Sequence, residues 1–255
     1  MKGRVIDQET KKPVAYVLVY LANSPTKNTY TDSLGTFYLD IGTSSNKNDS
    51  IVFTCVGYIK KAISKERLLT QSVVELNPLI YTLQEVVIRA KEQRLTYIGS
   101  PKKRIIFFSN CNSTRLGLVF LNHLRIDESY NSMVISKIEI FLSEKGDGPL
   151  RLRIMSKDEK KFKPKDNLLH QSVIFVPYRR GWNSFELASP IEIKEKEIFM
   201  GVEMLGNSST EVKQCLGYVS SNHQRSIWGY EPFNSWTPMT FKNKSEIMLF
   251  RAGVR

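Results

Sequence analysis

The chain is predicted to be all-β, folded as two β-sandwich domains, and three observations lead there. Short β-branched and aromatic runs recur at intervals of about ten residues, the spacing of sandwich strands. Clusters of Gly, Pro, Asn, Asp and Ser separate those runs, and no long amphipathic helical pattern interrupts them. A hydrophobic content of 41% over 255 residues is enough to fill two cores. With 24% charged residues, 14 Gly and 10 Pro, disordered, collagen-like and low-complexity classes are excluded. No apolar run approaches the roughly 18 to 20 residues that cross a bilayer as a helix, Val14 to Ala22 being the longest strand-like stretch.

In order along the chain, Lys2 to Ile6 reads as a strand, Asp7 to Pro13 as a polar turn and Val14 to Leu21 as a second strand. Asn23 to Asn28 reads as a turn, because Asn and Ser bond their own backbone and Pro25 fixes φ. Gly35 stands where a tight hairpin needs positive φ, ahead of the apolar Phe37, Leu39 and Ile41. Gly42 to Ser50 is a loop, Ile51 to Tyr58 a strong strand, and Ser72 to Leu76 and Leu83 to Ile88 two more.

The order Gly3-Arg4-Val5-Ile6-Asp7, Thr10, Pro13-Val14-Ala15, Thr31-Asp32, Gly35-Thr36-Phe37, Val56-Gly57-Tyr58 and Leu83-Gln84-Glu85-Val86-Val87-Ile88 resembles the carboxypeptidase-regulatory-like domain. The resemblance covers about residues 1 to 90 and implies a transthyretin-like (prealbumin-like) sandwich. It also implies a place in the Gram-negative cell envelope, in the periplasm or at the cell surface, as an accessory to a peptidase, a transporter or another binding unit. Each motif is structural, since a turn glycine and core aromatics make no nucleophile, acid or base. Leu83 to Ile88 also resembles the stretch that follows this domain in outer-membrane transporters, where a TonB contact segment lies. That leaves an accessory role in transport beside the plainer reading of a last edge strand. A strand pattern beginning at Lys2 is what a leader trimmed just upstream would leave.

Arg89 to Pro101, charged and containing Gly99-Ser100-Pro101, suits a linker, so the domains are expected at residues 1–92 and 93–255. In the second, Ile138, Ile140 and Leu142 alternate with Lys137, Glu139 and Phe141, and Leu150, Leu152 and Ile154 with Arg151, Arg153 and Met155. Both read as half-buried antiparallel strands joined by a hairpin connection at Glu144 to Pro149. Further strands are expected at Arg104 to Ser109, Leu116 to Leu121, Ser172 to Val176, Asn183 to Leu187, Glu197 to Leu205, Cys215 to Ser220 and Glu246 to Arg251. A short helical turn is expected near Asn167 to His170. So many strands require two packed sheets, and the pattern is similar to jelly-roll modules of the galactose-binding type.

Chemistry is sparse. The chain contains no GxSxG elbow, HExxH, P-loop, GxGxxG before a helix or EF-hand loop. His123, His170 and His223 are isolated, and the zinc ligands of a neighbouring peptidase are missing. No catalysis, cofactor or metal is therefore expected. Cys55, Cys111 and Cys215 are odd in number and widely spaced, against a disulfide framework or a CxxC site. Cys55, in an apolar run, reads as a core residue, and a Cys111 to Cys215 bridge is left open.

The net charge of +12 biases the surface toward anions, mostly through the part beyond residue 90, which carries 26 basic against 17 acidic residues. Lys157, Lys160, Lys161, Lys163 and Lys165 interleave with Asp158, Glu159 and Asp166, which reads as a solvated loop. Without a stacking platform beside them, nucleic acid is not the expected partner. The suggestive stretch is Ser226 to Trp236, where Trp228, Tyr230, Phe233 and Trp236 stand beside Gly, Pro and Asn. Aromatic rings on a rigid sheet stack against the apolar faces of sugars. Tyr178-Arg179-Arg180-Gly181-Trp182 adds guanidinium groups suited to hydroxyls or a carboxylate. The candidate ligand-binding residues are thus Trp228, Tyr230, Trp236 and Arg180, with core filling as the plainer role of the tryptophans. Two functions lead, a non-catalytic envelope protein that binds a glycan and a structural or assembly component holding protein partners, with a hydrolase built from scattered residues as a third.

Overall fold

The computed structural model describes residues 1–42, 49–79, 95–100, 117–127, 132–144, 148–177, 179–205, 215–220, 226–230, 235–241 and 244–254. The chain is all-β and forms two compact units, the first comprising Met1–Tyr81 with the short segments His170–Ser172 and Leu205–Glu211. The boundary expected at residue 92 and the strand expected at Leu83 to Ile88 lie outside the described residues.

The first unit runs β1 (Lys2–Asp7), β2 (Leu18–Leu21), β3 (Ser24–Tyr30), β4 (Thr36–Tyr38), β5 (Ser50–Thr54), β6 (Lys61–Ser64), α1 (Lys65–Thr70) and β7 (Val73–Leu76). One sheet has the order β4-β1-β7, the other β3-β2-β5-β6. Period-two alternation puts Val5, Phe37, Val74 and Leu76 of the first against Val19, Leu21, Ile51 and Phe53 of the second in one core. The Phe37 and Phe53 rings meet edge to face, 5.5 Å between centroids.

Asn23 to Asn28, expected as a turn, belongs mostly to β3, which pairs Leu21 with Ser24 and leaves only two residues for the turn. Asn23 Nδ2 is drawn to Asp49 Oδ1 at 2.6 Å, and Asn28 Nδ2 bonds Pro25 O at 2.9 Å. Pro25 is tolerated because β3 is an edge strand with a donor to spare. The six-residue α1 had no legible period; it is held by the Ser64 cap and by Leu68, which is buried.

The second unit contains β8 (Thr96–Gly99), β9 (Leu118–Arg125), β10 (Met133–Leu142), β11 (Leu150–Lys157), β12 (Pro164–Asn167), β13 (Ile174–Phe175), β14 (Gly181–Ile193), β15 (Glu197–Met204), β16 (Tyr218–Ser220), β17 (Ser226–Tyr230), β18 (Ser235–Pro238), β19 (Thr240–Phe241), β20 (Lys244–Met248) and β21 (Phe250–Val254). A four-stranded sheet has the order β14-β10-β21-β8. A seven-stranded sheet runs β12-β11-β15-β9-β17-β18, with β13 also on β11, and a small third sheet is β16-β20-β19. Leu150, Leu152, Ile154, Ile198, Met200 and Val202 of the seven-stranded sheet are fully buried on one face. Ile138, Ile140, Leu142, Phe250 and Ala252 of the four-stranded sheet are equally buried on one of its faces. Asn122, on β9, ties β20 to the seven-stranded sheet: its Nδ2 donates to Met248 O at 2.8 Å, and its Oδ1 accepts from Met248 N at 3.1 Å.

Four expectations change here. The Glu144 to Pro149 segment is not a hairpin connection, because β10 and β11 belong to different sheets and pair elsewhere. Part of the expected linker is β8, whose Thr96 to Gly99 pair with Val254 to Arg251. Pairing satisfies its backbone where a polar composition promised only loop. Asn167 ends β12 rather than opening a helical turn. β11 is buried on both faces, with Arg151 at 1% and Arg153 at 3% exposure, instead of wet on one. The strand expected at Arg104 to Ser109 lies outside the described residues.

Candidate binding surface

The aromatic stretch folds as the β17 and β18 pair, at the margin of the seven-stranded sheet. Register sets what each ring does. Trp228 pairs with Thr237 on one side and Phe120 on the other, while Trp236 pairs with Gly229. Neighbours along a strand point to opposite faces, so the two tryptophans are split. Trp236 lies half-buried against Val119, Leu121, Met155, Phe199 and Ile227, with Phe162 beside it. Trp228 faces the other way and is 38% exposed. Its strand neighbour Phe120 has its ring 6.3 Å from that of Tyr218, and register puts Trp228 at the end of the cross-strand row of Leu152, Val202 and Phe120.

Tyr230 ends β17, placed by its pairing with Ser235 and Leu118. Arg180 is exposed in the bend before β14, on the other sheet. That bend is fixed by Asn183, whose Nδ2 donates to Arg179 O at 2.8 Å and Gly181 O at 3.0 Å. Of the four candidates, then, Trp228 and Tyr230 share a strand, Trp236 sits across the sheet from Trp228, and Arg180 belongs to a different sheet.

Sequence reasoning missed the ionic group inside the seven-stranded sheet. Glu203 is paired in register with Arg151, whose Nη1 lies 3.2 Å from Oε2, and Arg153 Nη1 reaches the same oxygen at 3.0 Å. A signal existed: Glu203 is the one acid inside the apolar run Ile198 to Leu205, and a buried carboxylate needs a cation beside it. The Arg-x-Arg alternation was read as a wet face because period-two patterning cannot tell water from a buried partner.

His123 has company too. Its ring packs 5.0 Å from Phe162 and 5.2 Å from Phe199, and its Nε2 is 3.8 Å from Glu197 Oε1. Glu197 also takes Arg125 Nε at 2.7 Å and Lys157 Nζ at 3.2 Å. Burial raises the Glu197 pKa, but the hydrogen bonds from Lys157 and Arg125 and the neighbouring charges outweigh it, leaving the carboxyl below its ordinary value. The group is cationic around one carboxylate, with no nucleophile in it. His170 is exposed in a bend, and His223 lies outside the described residues. Among the described residues no group of three or more His, Cys, Asp or Glu is placed to hold a metal ion. The lysine-rich loop is a turn closed by Asp158, whose Oδ1 accepts from Lys160 N and Lys161 N at 2.9 Å each. Among the described residues no helix is long and apolar enough to cross a membrane.

Cys55 is a buried thiol, whereas Cys215 is disulfide-bonded. Cys111 lies outside the described residues.

The fold thus defines an all-β protein of packed sheets. Residues 1–88 match the family model described as CarboxypepD_reg-like domain. No curated protein matches the chain.

Proposed function

We propose that this protein works without catalysis, as a binding or adhesion module of the cell envelope whose second domain, a jelly-roll-like sandwich, recognises a glycan. The observation that carries the reading is Trp228, an indole 38% exposed on a paired strand in line with Phe120. Burying such a ring in the protein would be worth about 1.5 to 3 kcal/mol, so leaving it open is what a stacking surface requires. The disulfide at Cys215 supports an oxidising compartment such as the periplasm or the cell surface. The N-terminal family match supports an accessory role.

A glycan array followed by calorimetry on the full chain tests it. Trp228→Ala is expected to weaken binding about tenfold, or ~1.4 kcal/mol, without loss of fold. A folded Trp228→Ala protein with full affinity overturns the assignment. Trp236→Ala is expected to act on stability instead, through its contact with the apolar cluster.

A second reading has its own observation. In the first unit Leu34, Tyr38, Ile59 and Leu69 are 63%, 63%, 51% and 67% exposed, and Tyr38 lies on the edge strand β4. Sheet edges with exposed apolar side chains suit pairing with a protein partner, as in a structural or assembly component. That reading predicts no glycan binding and a defined partner crosslinked through Tyr38.

A further inference from the structure

The sheet β4-β1-β7 of the first unit turns one face to its core and the other to solvent. Alternation sends Val5, Phe37, Val74 and Leu76 inward and leaves Lys2, Arg4, Tyr38, Val73 and Glu75 on the outer face. Register joins them: Lys2 pairs with Tyr38 on one side, and Arg4 pairs with Val73 on the other. Lys2 and Arg4 are exposed, as are Tyr38 at 63% and Val73 at 39%.

Both margins of this sheet are closed to a further strand. At β4 the Thr36 N–H donates to Asp32 Oδ1 at 2.8 Å, and the Thr36 carbonyl accepts from Asp32 N at 2.9 Å. At β7 the Glu75 carbonyl accepts from Lys61 Nζ at 2.6 Å. A strand added at either edge would have to displace these bonds, so a partner meets the side chains of the face instead. The charges there are uneven. Glu75, the acid among them, is held by Lys11 Nζ at 2.8 Å. Lys2 and Arg4 form no ion pair among the described residues. Arg4 Nε donates to Leu34 O at 3.0 Å, which fixes the guanidinium beside the turn that carries the exposed Leu34.

We infer that this face docks a short acidic segment of a protein partner, one that carries apolar side chains beside its carboxylates. The inference rests on the partner-binding reading above and gives that partner its chemistry. Lys2 and Arg4 are two apart on β1, which is the spacing of two carboxylates on one side of an extended segment. Tyr38 and Val73 flank them and offer apolar area to its other side chains. A strand spacing of about 4.8 Å and a rise of about 3.3 Å per residue make the face roughly 10 by 17 Å, too small for a stable domain interface and enough for one extended segment. A uniform polyanion needs more than two cations, and a second copy of this chain, at +12, is repelled.

The test is fluorescence anisotropy of the full chain with a labelled Phe-Ser-Glu-Ser-Glu-Ser-Phe peptide. Its Gln-for-Glu and Ser-for-Phe counterparts are the controls, and phosphatidylglycerol vesicles stand for the competing class. Lys2→Glu, Arg4→Gln and Tyr38→Ser are compared with Lys160→Glu, which alters net charge as much as Lys2→Glu does but at an exposed lysine of the second unit. Thermal melting checks that each variant is folded. The acidic peptide is expected to bind the wild type about tenfold more tightly than either counterpart, and to lose about tenfold in each of the three face variants while Lys160→Glu keeps wild-type affinity. Added salt weakens the binding, because both cations are exposed. Four results overturn the inference: no binding of the acidic peptide by the wild type, equal losses in Lys160→Glu and Lys2→Glu, full affinity in Tyr38→Ser, or binding of the vesicles in place of the peptide. A defined partner crosslinked through Tyr38 while the acidic peptide stays unbound removes this chemistry and leaves the partner reading standing, whereas glycan binding with neither peptide nor partner removes both.

Discussion

Asp7 shows how a family motif becomes physical chemistry. Its Oδ1 accepts from Thr10 N at 2.7 Å and Glu9 N at 2.9 Å, and its Oδ2 accepts from the Tyr58 hydroxyl at 3.0 Å. One carboxylate therefore closes the turn after β1 and ties it to the bridge residue Tyr58, 51 residues later, beyond the turn that follows β5. The Thr10 backbone N–H chiefly lowers its pKa below 3.8, with burial opposing and Tyr58 and Glu9 assisting. Burial and the Asp7 carboxylate push the Tyr58 hydroxyl far up in turn. A depressed folded pKa means stabilisation that is full above the unfolded value and lost as pH falls through the folded one. Asp7→Asn is expected to cost about 1 to 2 kcal/mol at neutral pH and to flatten the stability profile below pH 3.8, read by urea melts across pH. Retention of the wild-type acid profile would show that Asp7 carries no such linkage.

At the level of elements, the turn before β4 and the interior of β11 make opposite lessons. Gly35 has φ of 73°, and a Cβ there would lie 2.3 Å from Val5 O. Asp32 Oδ1 meanwhile accepts from Leu34 N and Thr36 N at 2.9 and 2.8 Å, locking the turn. Gly35→Ala is expected to destabilise by at least about 1 to 3 kcal/mol, read by chemical denaturation. This element was legible because its requirement is local. The two-faced burial of β11 was not, because a carboxylate that Arg151 and Arg153 share inside, Glu203, lies roughly fifty residues on. Glu203→Ala is expected to cost about 3 to 5 kcal/mol by removing the carboxylate that two buried guanidinium groups share. A loss under 1 kcal/mol would mean that their charge is met by other groups.

Across the whole molecule, cysteine chemistry bears on where the protein works. Alkylation under denaturing, non-reducing conditions is expected to label Cys55 and to leave Cys215 unlabelled until a reductant is added. Labelling of both without reductant would remove the argument for an oxidising compartment. The net charge of +12 is a statement about solubility and long-range attraction to anions, not about which surface binds. Trp228 lies in the more basic part of the chain.

The sequence by itself determined the all-β class, the tight positive-φ turn at Gly35 and the core places of Phe37 and Cys55, because apolar runs and turn residues are written over a few consecutive positions; that the strands flanking Gly35 part into different sheets, so that the turn closes no hairpin, it did not show. It also singled out Trp228 and Tyr230, which share a strand, together with Trp236 across the sheet and Arg180 on another sheet. Only the tertiary structure decided that β10 and β11 part into different sheets, that Thr96 to Gly99 leave the linker for an edge, and that Trp228 and Trp236 stand on opposite faces. Each of those outcomes depends on which distant strand supplies the hydrogen bonds, and a one-residue change of register reverses every side chain. Pairing between remote segments has no local signature, so it is settled when the sheets assemble.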